Sequence, residues 1–287
     1  MNIVVIGGIS YDTIIDVDEL VINSQDQSIF AKDKRHSIGG TGAGKAFTLG
    51  ALGYFPKFIT TIGRDDEAKH IKESLKEREL DISYCIADQT TSHTNIMYGD
   101  GHRLSIFTQI PTKSQIQYKD HKDDIKNADL IFLNIDPFAQ YYFKDIEQSK
   151  AKIVVDIHDY DEGNVYHEPF IKLSNILIGN AVNIPNHMQF LHTHVNKGKE
   201  LVVLTKGKDG YIAMDKNKQI YKSKAIQLAS IKDTNGAGDA FAVGLSLCLL
   251  ETSDIKKALD YANICGAIAC KSSDLFPKNI NPDDFTI

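Results

Sequence analysis

Asp233-Thr234-Asn235-Gly236-Ala237-Gly238-Asp239 runs directly into Ala240-Phe241-Ala242-Val243-Gly244-Leu245-Ser246-Leu247-Cys248-Leu249-Leu250, a stretch with no charge after Asp239. The apolar run is that of a buried helix, and the small residues before it leave its first backbone N–H groups facing outward. Those groups have no intrahelical partner and sit at the positive end of the helix dipole, so they form an anion site. Asp239 projects from the first turn beside that site. A carboxylate next to a phosphate cradle is electrostatically unfavourable unless the two flank a proton being removed and a phosphoryl group being transferred. The simpler reading, in which Asp239 only complements the dipole, stays open at this point.

Outward from that segment, short apolar runs at residues 2–6, 57–62, 130–135, 152–157, 175–178 and 201–204 alternate with helical patterns. Ala68, Ile71 and Leu75 repeat at helical spacing, as do Phe138, Tyr142 and Ile146. Fully apolar strands between amphipathic helices mark a parallel sheet covered on both faces. The expected fold is therefore α/β, a doubly wound, mostly parallel sheet flanked by helices. Residues 13–38 and 92–109 break the pattern with β-branched and aromatic residues in near alternation, and Gly99-Asp100-Gly101 supplies a turn in the second stretch. They predict a small β-sheet. Beside the carboxyl ends of core strands, where open α/β sheets bind ligands, it would be a lid; elsewhere it would be a decorative hairpin. No repeat, low-complexity tract or linker divides the chain, so one domain is expected over residues 1–287.

The 287 residues are 42% hydrophobic and 24% charged, which suffices for one large core. With 32 Lys and Arg against 38 Asp and Glu, the net charge of −6 offers no field to attract nucleic acid or anionic lipid, and small-molecule partners are expected. Cys85, Cys248, Cys265 and Cys270 show no CxxC spacing, which fits a reduced, cytoplasmic protein. The apolar start is broken by Gly7, Gly8 and Asp12, and no later run approaches the roughly 20 residues of a membrane span. Neither secretion nor insertion is expected.

A second glycine cluster, Ser37-Ile38-Gly39-Gly40-Thr41-Gly42-Ala43-Gly44-Lys45-Ala46-Phe47, opens another helix and nearly spells the P-loop pattern GxxxxGK[ST]. Ala46 stands where a P-loop needs its metal-binding hydroxyl, and Lys32-Asp33-Lys34-Arg35-His36-Ser37 is too charged for the buried strand that feeds such a loop. With the P-loop set aside, Lys45 is expected to lie solvated on its helix.

Taken together, these segments resemble the PfkB (ribokinase-like) carbohydrate and nucleoside kinases. Residues 233–239 are similar to that family's DTxGAGD signature, and Gly39-Gly40 with its helix resembles the GGxxxN signature. Gly7-Gly8-Ile9-Ser10-Tyr11-Asp12 resembles the first-strand motif, Ile62-Gly63-Arg64-Asp65-Asp66 the VGxD turn, and Thr205-Lys206-Gly207 the nucleotide-loop motif. The resemblance implies a ribokinase-like fold with a β-sheet lid, ATP and Mg²⁺ as co-reactants, and transfer of the γ-phosphoryl group to a hydroxymethyl oxygen. It implies that Asp239 accepts the hydroxyl proton and that Gly236, Ala237 and Gly238 form the anion hole. Asp12, Gly40 and Thr41 would bind acceptor hydroxyls, while Asn180, Thr205, Gly207 and Asn263 would lie in the nucleotide site. Asp233 would neighbour a K⁺ ion in members that use one. Apart from the resemblance, an exposed lid edge would suggest a homodimer through the lid, and a self-contained lid a monomer. A helix N-terminus lowers a carboxylate's pKa, yet a dissociative transition state needs only a weak base.

Two residues depart from the pattern. Gly44 replaces an acceptor-binding Asn, which removes a polar contact and is expected to open space for a bulky acceptor such as a nucleoside or modified sugar. Asn183 ends the NxxE-like Asn180-Ala181-Val182-Asn183 where a Glu would organise the Mg²⁺ hydration shell. Asp136, after an apolar strand, is a further acceptor-contact candidate by placement. His93 and Asn95 could reach the acceptor from the lid. Residues 156–162 are read as a solvated acidic loop rather than a metal site, and His187, His192 and His194 as surface residues. A sugar kinase is the leading function. A nucleoside kinase is the alternative within the enzyme class, and a ligand-binding or regulatory protein that has lost turnover is the alternative outside it.

Overall fold

A computed structural model of the chain describes residues 1–21, 26, 28–99, 102–158, 160–161 and 164–278. The strands are β1 (Ile3–Ile6), β2 (Ser10–Asp16), β3 (Asp33–Gly39), β4 (Lys57–Ile62), β5 (Asp81–Ile86), β6 (Ser92–Tyr98), β7 (His102–Gln109), β8 (Leu130–Asn134), β9 (Lys152–Asp156), β10 (Ile176–Asn180), β11 (Leu201–Thr205), β12 (Tyr211–Asp215) and β13 (Ile220–Ser223). The helices are α1 (Thr41–Ala51), α2 (Asp66–Ser74), α3 (Lys122–Lys126), α4 (Phe143–Gln148), α5 (Glu168–Leu173), α6 (His187–Asn196), α7 (Ala237–Thr252) and α8 (Ile255–Ala269). Among the described residues the core is a nine-stranded sheet in the order β13-β12-β11-β10-β9-β8-β1-β4-β5. It is parallel except where β12 pairs with β11 and β13. Sequence reading missed β5, β12 and β13, whose mixed polarity suits strands at the two margins.

The core strands are apolar throughout because successive side chains enter two different cores. Ile3 and Val5 of β1, with Leu130 and Phe132 of β8, join the layer formed with α1, α2, α7 and α8. Val4, Ile6, Ile131 and Leu133 face the layer formed with α3 to α6. A strand buried on both faces has no polar side to show, which is the physical reason for the unbroken runs. His194, expected at the surface, is buried against Phe190 with ring centroids 4.3 Å apart, and burial pushes its pKa down to about 4.

A second, four-stranded sheet has the order β3-β2-β6-β7. Its β2–β3 hairpin is inserted between β1 and α1, and its β6–β7 hairpin between β5 and α3. The strands begin at Ser10, slightly before the expected 13–38 stretch, and at Ser92, as expected. The turn assigned to Asp100 and Gly101 lies outside the described residues, as does the chain after residue 278. Because β3 is an exposed edge of this sheet, the segment before the second glycine cluster is not the buried strand of a P-loop.

In the core sheet β1 has β8 on one side and β4 on the other, so the topology switches direction beside β1. There α1 rests on the chain leaving β1: Ala43 N–H donates to Gly8 O at 3.1 Å, and Gly40 caps the helix at φ 97°. A Cβ on Gly42 would lie 2.5 Å from the Gly7 carbonyl carbon, a backbone atom that has nowhere to move. Gly42→Ala is therefore expected to destabilise the protein by about 1–3 kcal/mol, the range of core overpacking. Chemical or thermal denaturation checks this, and a variant as stable as wild type would show that α1 can slide away from β1.

Candidate active site

Three carboxylates stand around the first turns of α1, each fixed by a different part of the fold. Asp12 lies in β2, opposite Ser37 of β3, and is 5% exposed. Its Oδ1 accepts from the His93 backbone N–H at 3.2 Å and from His93 Nδ1 at 2.8 Å, and its Oδ2 accepts from Asn95 Nδ2 at 3.4 Å. His93 and Asn95 are thus engaged with Asp12. Gly39 is pressed against the same carboxylate, and Gly40 and Thr41 follow it into α1. Asp136 follows β8 and caps the 3₁₀ turn Pro137–Tyr142, accepting from Phe138 N–H at 3.2 Å. Its Oδ2 lies 2.8 Å from the place a Cβ on Gly8 would occupy. Burial pushes the Asp136 carboxyl up to about 6, against the opposing hydrogen bond from Phe138.

Asp239 lies in the first turn of α7, behind the left-handed cap Gly236 at φ 81°. A Cβ on Gly236 would overlap the Leu275 carbonyl, whereas one on Gly238 would meet nothing within 4 Å. The helix start is therefore packed on one side and open on the other, the geometry of an anion cradle. Asp239 itself is 7% exposed. Burial raises its pKa, with Lys45 and His158 pulling the other way and Asp156 adding to the rise. The expectation of a lowered value is corrected: desolvation outweighs the helix dipole.

Lys45 is corrected as well. It is 1% exposed, and its Nζ donates to Asp239 Oδ1 at 2.5 Å. Residues 42–49 of α1 are all buried, so a lysine there has no solvated face to occupy. That was the signal to follow: Gly42, Ala43, Ala46, Phe47 and Leu49 surround the helix with apolar side chains, and a lysine among them needs a partner. The space at Gly44 is also not free for an acceptor, because a Cβ there would overlap the Asp239 carboxylate. Sequence reasoning passed over Asp156 and His158 too. Asp156 is 5% exposed, and its Oδ1 accepts from the His158 backbone N–H at 2.9 Å. His158 has φ 49°, and its buried Nε2 has no hydrogen-bond partner among the described residues. Asp159 and Glu162 of the same acidic loop lie outside the described residues.

Next along the sheet, Asn180 and Thr205 end β10 and β11 in register with each other, and Gly207 follows at φ 55°. Thr205 Oγ1 donates to Gly179 O at 3.3 Å, and Asn180 Oδ1 accepts from Val182 N–H at 3.0 Å. Asn263 on α8 donates through Nδ2 to Lys224 O at 2.9 Å, and Asn183 is exposed. Asp233 Oδ1 accepts from Asn235 N–H at 2.9 Å. No group of three or more His, Cys, Asp or Glu among the described residues could hold a metal by itself.

The pfkB family carbohydrate kinases match this sequence over residues 1–278. The chain belongs to that family. It is a carbohydrate kinase, and ATP is the phosphoryl donor that this implies. It is 25% identical over 275 residues to the acarbose 7(IV)-phosphotransferase of Actinoplanes sp., covering 94% of this chain and 92% of the relative. It is 26% identical to the 5-dehydro-2-deoxygluconokinase of Geobacillus thermodenitrificans, covering 84% and 81%. The fold is shared with the microbiome-derived acarbose kinase Mak1 at a TM-score of 0.83 and 22% identity, over 99% of this chain and 97% of that one. The ribokinase-like fold is thereby shown. None of the helices among the described residues is long and apolar enough to cross a membrane.

The raised Asp136 carboxyl has a measurable consequence. The native state holds this proton more tightly than the unfolded chain, so stability is greatest below the ordinary value of 3.8 and falls as pH rises through about 6. Asp136→Asn is expected to stabilise the kinase by about 1–3 kcal/mol at pH 8 and by much less at pH 4. Denaturant titrations at the two pH values check it, and an equal effect at both would mean that Asp136 ionises normally in the folded chain.

Proposed function

We propose that the kinase transfers the γ-phosphoryl group of ATP to a hydroxymethyl oxygen of a sugar or sugar derivative, with Asp239 as the base. The observation that carries this is the pairing of a buried carboxylate with an open helix N-terminus one residue away. The acceptor hydroxyl lies between Asp239 and the γ-phosphorus. Its oxygen forms the new P–O bond, the bond to the β-phosphate oxygen breaks with its electrons going to ADP, and the hydroxyl proton passes late to Asp239. N–H groups at Gly236, Ala237 and Gly238 face the charge on the transferring group, in a site where such donors act more strongly than in water. Asp12, Gly40, Thr41 and Asp136 hold the acceptor, with the lid strands β2 and β6 limiting water. Asn180, Thr205, Gly207 and Asn263 hold the nucleotide. Mg²⁺, when bound, would supply charge neutralisation for the transfer, and Asn183 would act on its water shell.

A K⁺ ion beside Asp233 belongs to the same reading; its support is the closeness of Asp233 to the 270 segment, where Lys232 N–H donates to Cys270 O at 2.9 Å. Dependence of turnover on K⁺ tests it. Exposed Phe107 and Ile106 on β7 support a second copy docking at the lid, which sedimentation tests. Free thiols at all four cysteines support a cytoplasmic location.

Measurement of ADP release against acarbose, 5-dehydro-2-deoxygluconate, ribose, fructose and nucleosides tests the acceptor class; activity confined to nucleosides would replace the sugar reading. Asp239→Asn is expected to lower kcat by several orders of magnitude while ATP binding persists. Turnover within about tenfold of wild type would remove Asp239 as the base. Asn183→Glu is expected to lower the half-saturating Mg²⁺ concentration by about tenfold or more, on the scale of other outer-shell effects. An unchanged titration would place Asn183 away from the metal.

A further inference from the structure

Two successive residues of α1, Gly44 and Lys45, act on one carboxylate. Gly44 supplies an absence: a Cβ there would overlap Oδ2 of Asp239 and lie 2.8 Å from its Cγ and 3.0 Å from its Cβ, so the Asp239 side chain lies across the bare Gly44 Cα. Lys45 supplies a charge: its Nζ is 2.5 Å from the other oxygen, with side-chain exposures of 2% for Lys45 and 8% for Asp239. A buried ion pair is poor evidence of stabilisation, since desolving two charges costs about as much as their attraction returns. Packing alone would be served as well by apolar residues. A reason for the pair therefore lies in what it does to the carboxylate.

We infer that Lys45 is a positioning residue for phosphoryl transfer, a fixed counter-cation that keeps the buried Asp239 carboxylate ionised and aimed across Gly44 at the acceptor. This rests on Asp239 being the base. Without a counter-charge, burial would keep the proton on Asp239, and the nearby Asp156 carboxylate would reinforce that effect. The groups facing Asp239 are few. Lys45 comes from α1, and Asp156 and His158 come from the end of β9. From α8, Ala262, Cys265 and Gly266 meet α7, the thiol lying against Gly244, and from β12 Tyr211 meets Phe241. Lys45 is the one lysine or arginine among these groups.

The test is the pH profile of kcat/KM for the acceptor in Lys45→Met and Lys45→Gln. Loss of the cation raises the Asp239 pKa, so less of the base is ionised at a given pH and the acid limb moves to higher pH. We expect a shift of about one pH unit or more, a deficit at least about tenfold larger at pH 6 than at pH 9, and an ATP KM within about threefold of wild type. His158 and Asp156 are common to all forms and cancel in the comparison. A lysine that served only as a strut would lower activity by the same factor at every pH, and that result overturns the inference. Should the single variants fold poorly, the cycle with Asp239→Asn decides: the double variant Asp239→Asn, Lys45→Met buries no charge and should melt above Lys45→Met alone at pH 8. If it does not, the pair is absent in solution. The base assignment fails separately, through an active Asp239→Asn, whereas an inactive Asp239→Asn with an unmoved acid limb in the Lys45 variants defeats the Lys45 inference alone.

Discussion

The first turn of α1 lies directly on the backbone that leaves β1, and the cleft is arranged around that contact. Gly42 sits against Gly7, Gly40 against Gly8, and the Ala43 N–H is bonded to the Gly8 carbonyl. Side chains at these positions would collide with that backbone and push the helix away from the sheet. With them absent, the helix start reaches the topological switch point, and Gly44 and Lys45, one turn along, come within reach of α7 from the opposite side of the site. The same contact anchors the second sheet, since β2 follows β1 at Ser10 and β3 returns to α1 through Gly39.

Charge in the cleft is handled locally. Asp12 is surrounded by donors, two of them from His93, and its carboxylate is well solvated by protein groups although it is buried. Asp136 has a single donor from Phe138 N–H and is lifted to about 6 by burial. Asp239 is pulled up by burial and down by an ammonium group. Asp136 and Asp239 thus have their proton affinities set differently, the first mainly by burial and the second by burial against a paired cation.

The helix start at Gly236 to Gly238 and the carboxylate of Asp239 would be in conflict if both addressed the same point, since each phosphate oxygen brought to the cradle repels the carboxylate. The geometry separates them. Gly238 opens to the cleft with nothing within 4 Å of its would-be Cβ, while Asp239 turns back against α1. The ammonium of Lys45 meets the Asp239 carboxylate on its α1 side.

The sequence by itself determined the parallel core, the small second sheet, the glycine-led start of the buried helix and the family, because each is written in local pattern: unbroken apolar runs, alternating β-branched residues, and the order DTNGAGD before a buried helix. Asp136 and Asp239 could be nominated for the same reason, one following an apolar strand and the other opening a helix, while Asp12 was named by the family resemblance of residues 7–12. Tertiary structure decided what the electrostatics would be. Lys45 and Asp239 are far apart in the chain, and no periodicity in either helix states that they face each other, so Lys45 read as solvated and Gly44 as empty space. Partner choice for a buried charge, and the direction in which burial moves its pKa, depend on which faces of α1 and α7 are pressed together. That is a property of the packed molecule and of no segment alone.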